Sequence, residues 1–172
     1  IPTSECTKYV NPGGDDTTGR SLITAHKTIQ KGIQSLQAGD VLCINGGTYS
    51  EAVTIQKKFN GAQKVKIGAF SEGGSVILTA GPQKLPQESC ASMPNLGSRA
   101  SQTEHLMNSC RKKALLTVSD ASNVDLVGLS IIESAASGVY IDESTDITFN
   151  SMNISKNGLY GAVIDESNNI VF

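Results

Sequence analysis

The feature that most constrains this chain is a repeat: from Leu115 to Phe172, apolar residues return at one fixed step, the step that separates Leu116 from Val139 and Val139 from Ala162. Those three residues share one register, Val118, Ile141 and Ile164 a second, Val124, Ile147 and Ile170 a third, and Leu126, Phe149 and Phe172 a fourth. Leu129 stands over Met152 and Ile131 over Ile154. Within a repeat the apolar residues come in pairs one residue apart, Val139 with Ile141, Ile147 with Phe149, Met152 with Ile154, which is the period of a strand burying one face. Each repeat therefore reads as three short strands, joined by a turn at 142–146, by Asn150-Ser151 and by a return through 155–160. A unit of this kind buries its apolar face only against copies of itself, so the pattern predicts an all-β parallel solenoid. The alternative, a meander of antiparallel hairpins, makes no demand for identical inward residues at one period.

The rest of the chain is read against that repeat. Lys8-Tyr9-Val10 is a short strand closed by the turn residues Asn11-Pro12-Gly13-Gly14. Asp15-Asp16 lacks the spaced ligands and closing glutamate of an EF-hand and reads as a solvated loop. From Ser21 to Gln37 the period changes, with Ile29, Ile33 and Leu36 at i, i+4 and i+7 and Gly39 as the stop, which predicts an amphipathic helix covering the apolar end of the first coil. Strands follow at 40–45, at Thr48-Tyr49 leading into 52–56, at 65–70 and from Val76, forming irregular first coils. Thr79 to Lys113 carries three prolines and no sustained period, and so long an excursion is an elaboration or a functional loop. The expected organisation is one domain, or the N-terminal part of one, over residues 1–172: strand and cap helix at 1–39, irregular coils at 40–78, loop at 79–113 and regular coils at 114–172. The coil that reaches Phe172 is expected to be unfinished.

Composition narrows the function. A formal charge of −2 excludes a basic nucleic-acid footprint, and the sequence has no membrane-length apolar run of about 18 residues. Tryptophan is absent and aromatics are 5% of the chain, which suits a core of stacked aliphatic side chains. The chain starts at Ile1, and its four cysteines include no C-x-x-C pair to hold zinc, so a processed, secreted protein with two disulfides is expected. Neighbourhood pairs Cys6 with Cys43 and Cys90 with Cys110, while the other two connectivities stay open. Asn153-Ile154-Ser155 is an acceptor sequon whose asparagine points outward if Met152 and Ile154 point inward.

Five short runs carry a resemblance: Tyr9-Val10-Asn11-Pro12-Gly13, Thr28-Ile29-Gln30-Lys31-Gly32-Ile33, Ala38-Gly39-Asp40-Val41-Leu42, Gly47-Thr48-Tyr49-Ser50-Glu51 and Val53-Thr54-Ile55. Over Tyr9 to Leu78 the chain resembles the opening of secreted right-handed parallel β-helix proteins of the pectate lyase-like superfamily, and Asn123 to Phe172 is similar to that family's generic coils. The resemblance implies a right-handed β-helix with an N-terminal capping helix. It also implies extracellular acidic polysaccharide as partner, cleaved by β-elimination with calcium or another cation and a lysine or arginine base. The groove it implies lies on the outer column Thr117, Tyr140 and Val163, none of which can act as that base at neutral pH. Lys156 is the sole basic residue after Lys113 and falls in the opposite loop. Catalytic residues are therefore not evident in this segment.

A second candidate is the acidic turn column, Asp120, Glu143 and Glu166 in one register with Asp142 and Asp165 in the next. Carboxylates stacked about 4.8 Å apart repel by about 1 kcal/mol in water, a penalty that calcium, with its preference for oxygen ligands, would turn into a site. The competing reading is a solvated turn. His26, placed in the helix, and His105, in the loop, read as surface residues. Asn150 reads as a turn residue tolerant of left-handed backbone, and Tyr140 as a surface for a sugar ring or a protein contact. Two functions follow: the opening part of a polysaccharide lyase-like protein, or a non-catalytic structural glycoprotein whose coils stack on further copies into an oligomer or filament.

Overall fold

The computed structural model describes residues 1–83, 85, 90 and 107–172. Its strands form three sheets, and every pairing between strands is parallel. Sheet I holds β1 (Lys8–Val10), β2 (Val41–Ile44), β5 (Val65–Ala69), β8 (Ser122–Val127), β11 (Thr145–Asn150) and β14 (Asn168–Val171) in that order. Sheet II holds β4 (Val53–Ile55), β7 (Ala114–Ser119), β10 (Ser137–Asp142) and β13 (Ala162–Asp165). Sheet III holds β3 (Gly47–Tyr49), β6 (Val76–Thr79), β9 (Leu129–Ile132) and β12 (Asn153–Ser155). The regular coils pass through sheets II, I and III in strict rotation, the path of a parallel β-helix.

The predicted columns are the observed registers. Val53, Leu116, Val139 and Ala162 are partners, as are Ile55, Val118, Ile141 and Ile164. Val65, Val124, Ile147 and Ile170 line the facing sheet. Ile55, Ile67, Ile131, Ile141 and Ile147 are wholly buried in one continuous core. Each such side chain contributes roughly 1.5–3 kcal/mol relative to exposure.

Between strands the chain turns at corners that recur in register. Asp120, Glu143 and Glu166 have positive φ, and so do Asn123, Asp146 and Asn169. Gly128 with Ser151 and Glu133 with Lys156 make the third and fourth corners. The turn expected over 142–146 is therefore tighter, since β10 runs to Asp142 and β11 begins at Thr145. The left-handed residue near the next corner is Ser151, not Asn150, which is the last residue of β11. Polar ladders tie the corners together: Ala121 N–H donates to Ser144 Oγ at 3.1 Å, and Ser144 N–H donates to Ser167 Oγ at 3.0 Å.

The helix is shorter than its period suggested. It spans α1 (Ile29–Gln34), with Thr28 as N-cap and its hydroxyl accepting from Lys31 N–H at 3.2 Å. Residues before Thr28 are held elsewhere: His26 N–H donates to Tyr9 O at 3.0 Å and Asn11 N–H to His26 O at 2.8 Å, a bridge incompatible with helical hydrogen bonding. Ile29, Ile33 and Leu36 still enter the core as predicted. Helix α1 packs on β1, β2 and β4, and the Gln30 carboxamide does what a neighbouring strand would do for β4, accepting from Thr54 N–H at 2.7 Å and donating to Thr54 O at 3.1 Å.

Candidate functional site

The cysteines pair as neighbourhood suggested, Cys6 with Cys43 and Cys90 with Cys110. These are bonds of an oxidising compartment, and no helix among the described residues is long and apolar enough to cross a membrane. The Cys90–Cys110 bridge packs against Ala136 and Leu159 of the coils. Just after it, residues 111–113 are fixed on β10: Ser137 Oγ donates to Arg111 O at 2.9 Å and Ser137 N–H to Lys113 O at 3.0 Å. Most of the 79–113 excursion, His105 included, lies outside the described residues.

That anchoring changes the outer face of sheet II. Thr117, Tyr140 and Val163 are in one column as predicted, and Thr54 extends it by one coil. Tyr140 and Val163, however, are buried with Ala114 rather than open. Lys112 Nζ lies 5.9 Å from the centre of the Tyr140 ring, a cation–π approach. One carboxylate gathers the cluster: Asp165 Oδ2 accepts from the Tyr140 hydroxyl at 3.2 Å and pairs with Arg111 Nη2 at 3.5 Å and Lys112 Nζ at 3.6 Å. Burial raises the Tyr140 pKa above the usual phenol range, with Lys112 opposing it. The phenol beside it is the largest of the causes that raise the Lys112 pKa. At neutral pH the phenol is thus a neutral donor and the lysine a fixed cation. Two cations share one carboxylate, and both side chains remain partly open to solvent. An incoming carboxylate or sulfate can accept from the donors of Arg111 and Lys112 that face solvent; Arg111 Nε, buried and without a partner, is not among them.

Arg111 and Lys112 were not singled out in the sequence as site residues. They precede the repeat in a segment without period, so no register assigned them a column; the one available signal was the basic run Arg111-Lys112-Lys113 between Cys110 and the first regular strand.

In the acidic column two carboxylates are paired with cations. Asp120 pairs with Lys58 Nζ at 2.5 Å, and Asp165 belongs to the cluster above. Asp142 and Asp165 are register partners, while Glu143 and Glu166 occupy left-handed corners. Among the described residues no three His, Cys, Asp or Glu side chains converge where a metal ion could be held.

His26 is neither helical nor on the surface; it is 5% exposed, bridged to Val10. Its Nδ1 is 3.8 Å from Asp16 Oδ1, and Gly19, at φ 67°, leaves room for the ring where any Cβ would strike Nε2 at 2.5 Å. Asp16 itself pairs with Lys31 at 2.7 Å. Among the described residues, open grooves of about 360 Å³ beside Gln30 and Lys57 and about 580 Å³ beside Lys64 and Lys66 lie elsewhere, and neither reaches Tyr140.

No family model matches the chain, and no curated protein sequence matches it. Among solved structures it is similar to an alginate lyase from Paenibacillus sp. str. FPU-7, with TM-score 0.52 and 13% identity over 83% of this chain and 40% of that one. It is also similar to a GH136 lacto-N-biosidase from Eubacterium ramulus, with TM-score 0.50 and 11% identity over 95% of this chain and 34% of that one. The likeness is one of fold, and the chain spans well under half the length of either protein.

Proposed function

We propose that this chain is part of a secreted right-handed parallel β-helix protein, closed at its N-terminal end by α1, that binds extracellular acidic polysaccharide at the Arg111 and Lys112 side chains, where residues 111–113 cover the outer face of sheet II. The observation that carries the reading is the convergence of Arg111 and Lys112 on a single carboxylate oxygen beside Tyr140. Each cation keeps donors that Asp165 does not engage, so a uronate or sulfate arriving at this face gains charge-assisted hydrogen bonds, against the charges of Asp165 and the nearby Asp142. The fold likeness to an alginate lyase and a lacto-N-biosidase supports a carbohydrate partner, and the basic pair favours an acidic one. Among these residues Tyr140 is too weak an acid to be ionised at neutral pH, so the cluster binds and orients, and proton abstraction is not assigned to it.

Titration calorimetry with oligomers of alginate, pectate and chondroitin sulfate, and with a neutral glucan as control, tests this. Binding that weakens with salt and falls at least tenfold in the Arg111→Ala/Lys112→Ala double variant is expected. Equal affinity for the neutral polymer, or an unaffected double variant, refutes it. Unsaturated product in the same mixtures would make the protein a lyase as well as a binder.

A second reading is favoured by exposed apolar residues on the coil formed by β13 and β14. Ile164, Val171 and Phe172 are 45%, 50% and 59% exposed. A further coil, from the same polypeptide or from another copy, would cover them. Light scattering across a dilution series decides between monomer and assembly, and Phe172→Asp should abolish any assembly built on that edge.

A further inference from the structure

We propose that Asn153 carries an N-linked glycan, displayed on the outer face of sheet III. The sequon Asn153-Ile154-Ser155 forms β12, whose side chains alternate: Ile154 packs on the core while Asn153 is exposed. Its outward column holds Ser130 and Ile77, on a different sheet from the one that Arg111 and Lys112 cover.

A sequon alone says little; the use made of the other asparagines adds a second argument. In the regular coils Asn123 donates to Gly61 O at 3.1 Å and Gln63 O at 3.3 Å. Asn157 accepts from Ser134 N–H at 3.0 Å and donates to Ile131 O at 3.3 Å. Asn168 accepts from Thr145 Oγ1 at 2.6 Å, Asn150 accepts from Ser151 Oγ at 3.1 Å, and Asn169 donates to Asp146. Asn153 is the exception: among the described residues its carboxamide has no hydrogen-bond partner. Asn150 bonds only its chain neighbour, so among the described residues the stack leaves two asparagines of the regular coils unused, Asn150 and Asn153, and of these only Asn153 stands in an N-x-S/T context. Substituting its nitrogen therefore costs the fold nothing, whereas at Asn157 or Asn123 it would break a contact between coils.

The chemistry is group transfer from a lipid-pyrophosphate-linked oligosaccharide. Asn153 Nδ2 loses a proton and forms a bond to the anomeric carbon, the bond from that carbon to the pyrophosphate oxygen breaks, and the lipid pyrophosphate leaves. The two disulfides place the chain in the kind of compartment where that donor is met. A glycan at β12 covers the Ser130 and Ile77 column and leaves sheet II uncovered.

The test uses the secreted protein purified from the cells that make it. Intact mass and the peptide containing 153–155 should show one oligosaccharide, removed by an amidase specific for N-glycans and absent from Asn153→Gln and Ser155→Ala. An unmodified Asn153 in the purified protein overturns the proposal. The enzymatically deglycosylated protein and Asn153→Gln should melt together, with Asn157→Ala lower; an Asn153→Gln that melts as low as Asn157→Ala means the carboxamide is structural, and that also overturns it.

Discussion

Replacing Ser144 by alanine isolates what the corner ladder is worth. Ser144 is 2% exposed between β10 and β11. Its Oγ donates to Asp142 O at 2.7 Å and accepts from Ala121 N–H, one coil away, at 3.1 Å. Alanine removes the acceptor and leaves the Ala121 N–H buried without a partner. A buried donor stripped in this way costs about 1–3 kcal/mol, against about 0.5–1.5 kcal/mol for an ordinary net hydrogen bond. For a chain of this length each kcal/mol lowers Tm by roughly 2–4 °C, so Ser144→Ala should melt about 2–12 °C below the parent. Ser167→Ala removes the acceptor of Ser144 N–H at a half-exposed site where water can replace it, so its effect should sit at or below the lower limit. Urea unfolding followed by circular dichroism supplies the free energies and shows whether m is constant. A Ser144→Ala variant no further from the parent than an ordinary surface substitution, about 0.5 kcal/mol, would refute the claim that the ladder holds the coils together.

Other outcomes follow from single sites. Burial depresses the His26 pKa below the ordinary histidine value, with Asp16 opposing and Lys31 and Lys8 assisting. The folded state therefore binds fewer protons than the unfolded one, and stability, full above about pH 6.5, should fall as pH drops toward the folded value; His26→Asn should flatten that slope in urea midpoints. Gly68→Ala should unfold the chain or lower Tm severely, because a Cβ there runs into the Val127 carbonyl of the neighbouring coil. Asp165→Asn should leave Arg111 and Lys112 without their shared carboxylate and change affinity for an anionic oligosaccharide, measured by calorimetry, while leaving a neutral glucan unaffected. A chelator should leave the melting curve unchanged, since Asp120 and Asp165 are engaged with cations.

The part of the fold legible in the sequence was the part that repeats. Val139, Ile141, Ile147 and Phe149 could be assigned to an inward face because apolar residues stack on them one period before and one period after. Where tertiary contacts compete with a local period, the period misled. The apolar period predicts helix from Ser21, yet Tyr9 and Gly19 draw 21–27 into backbone pairing, where His26 is buried. Glu143 and Glu166 read as acidity, and their constant property is left-handed backbone, which glutamate rarely advertises. The site was hidden for a related reason: Tyr140 was assigned its column correctly, but what covers it arrives from an aperiodic segment, and only the Ser137 contacts to Arg111 and Lys113 reveal that arrival.

The corners that recur in the regular coils also govern how such a gene can change in length. Removing one whole period within 114–172, the stretch from Leu116 to the residue before Val139 for instance, would bring each strand onto the same column one level along and leave the left-handed positions on residues that already occupy them. Removing one residue more or one fewer would turn each downstream inward side chain to the solvent. Length in this region should therefore change only in whole turns. The passage from β6 to β7 is under no such arithmetic: it spans 80–113 and still returns its chain to sheet II in register, with Leu116 on Val53. New side chains should accordingly be accommodated in passages of that kind, and the two cations beside Tyr140 lie in one.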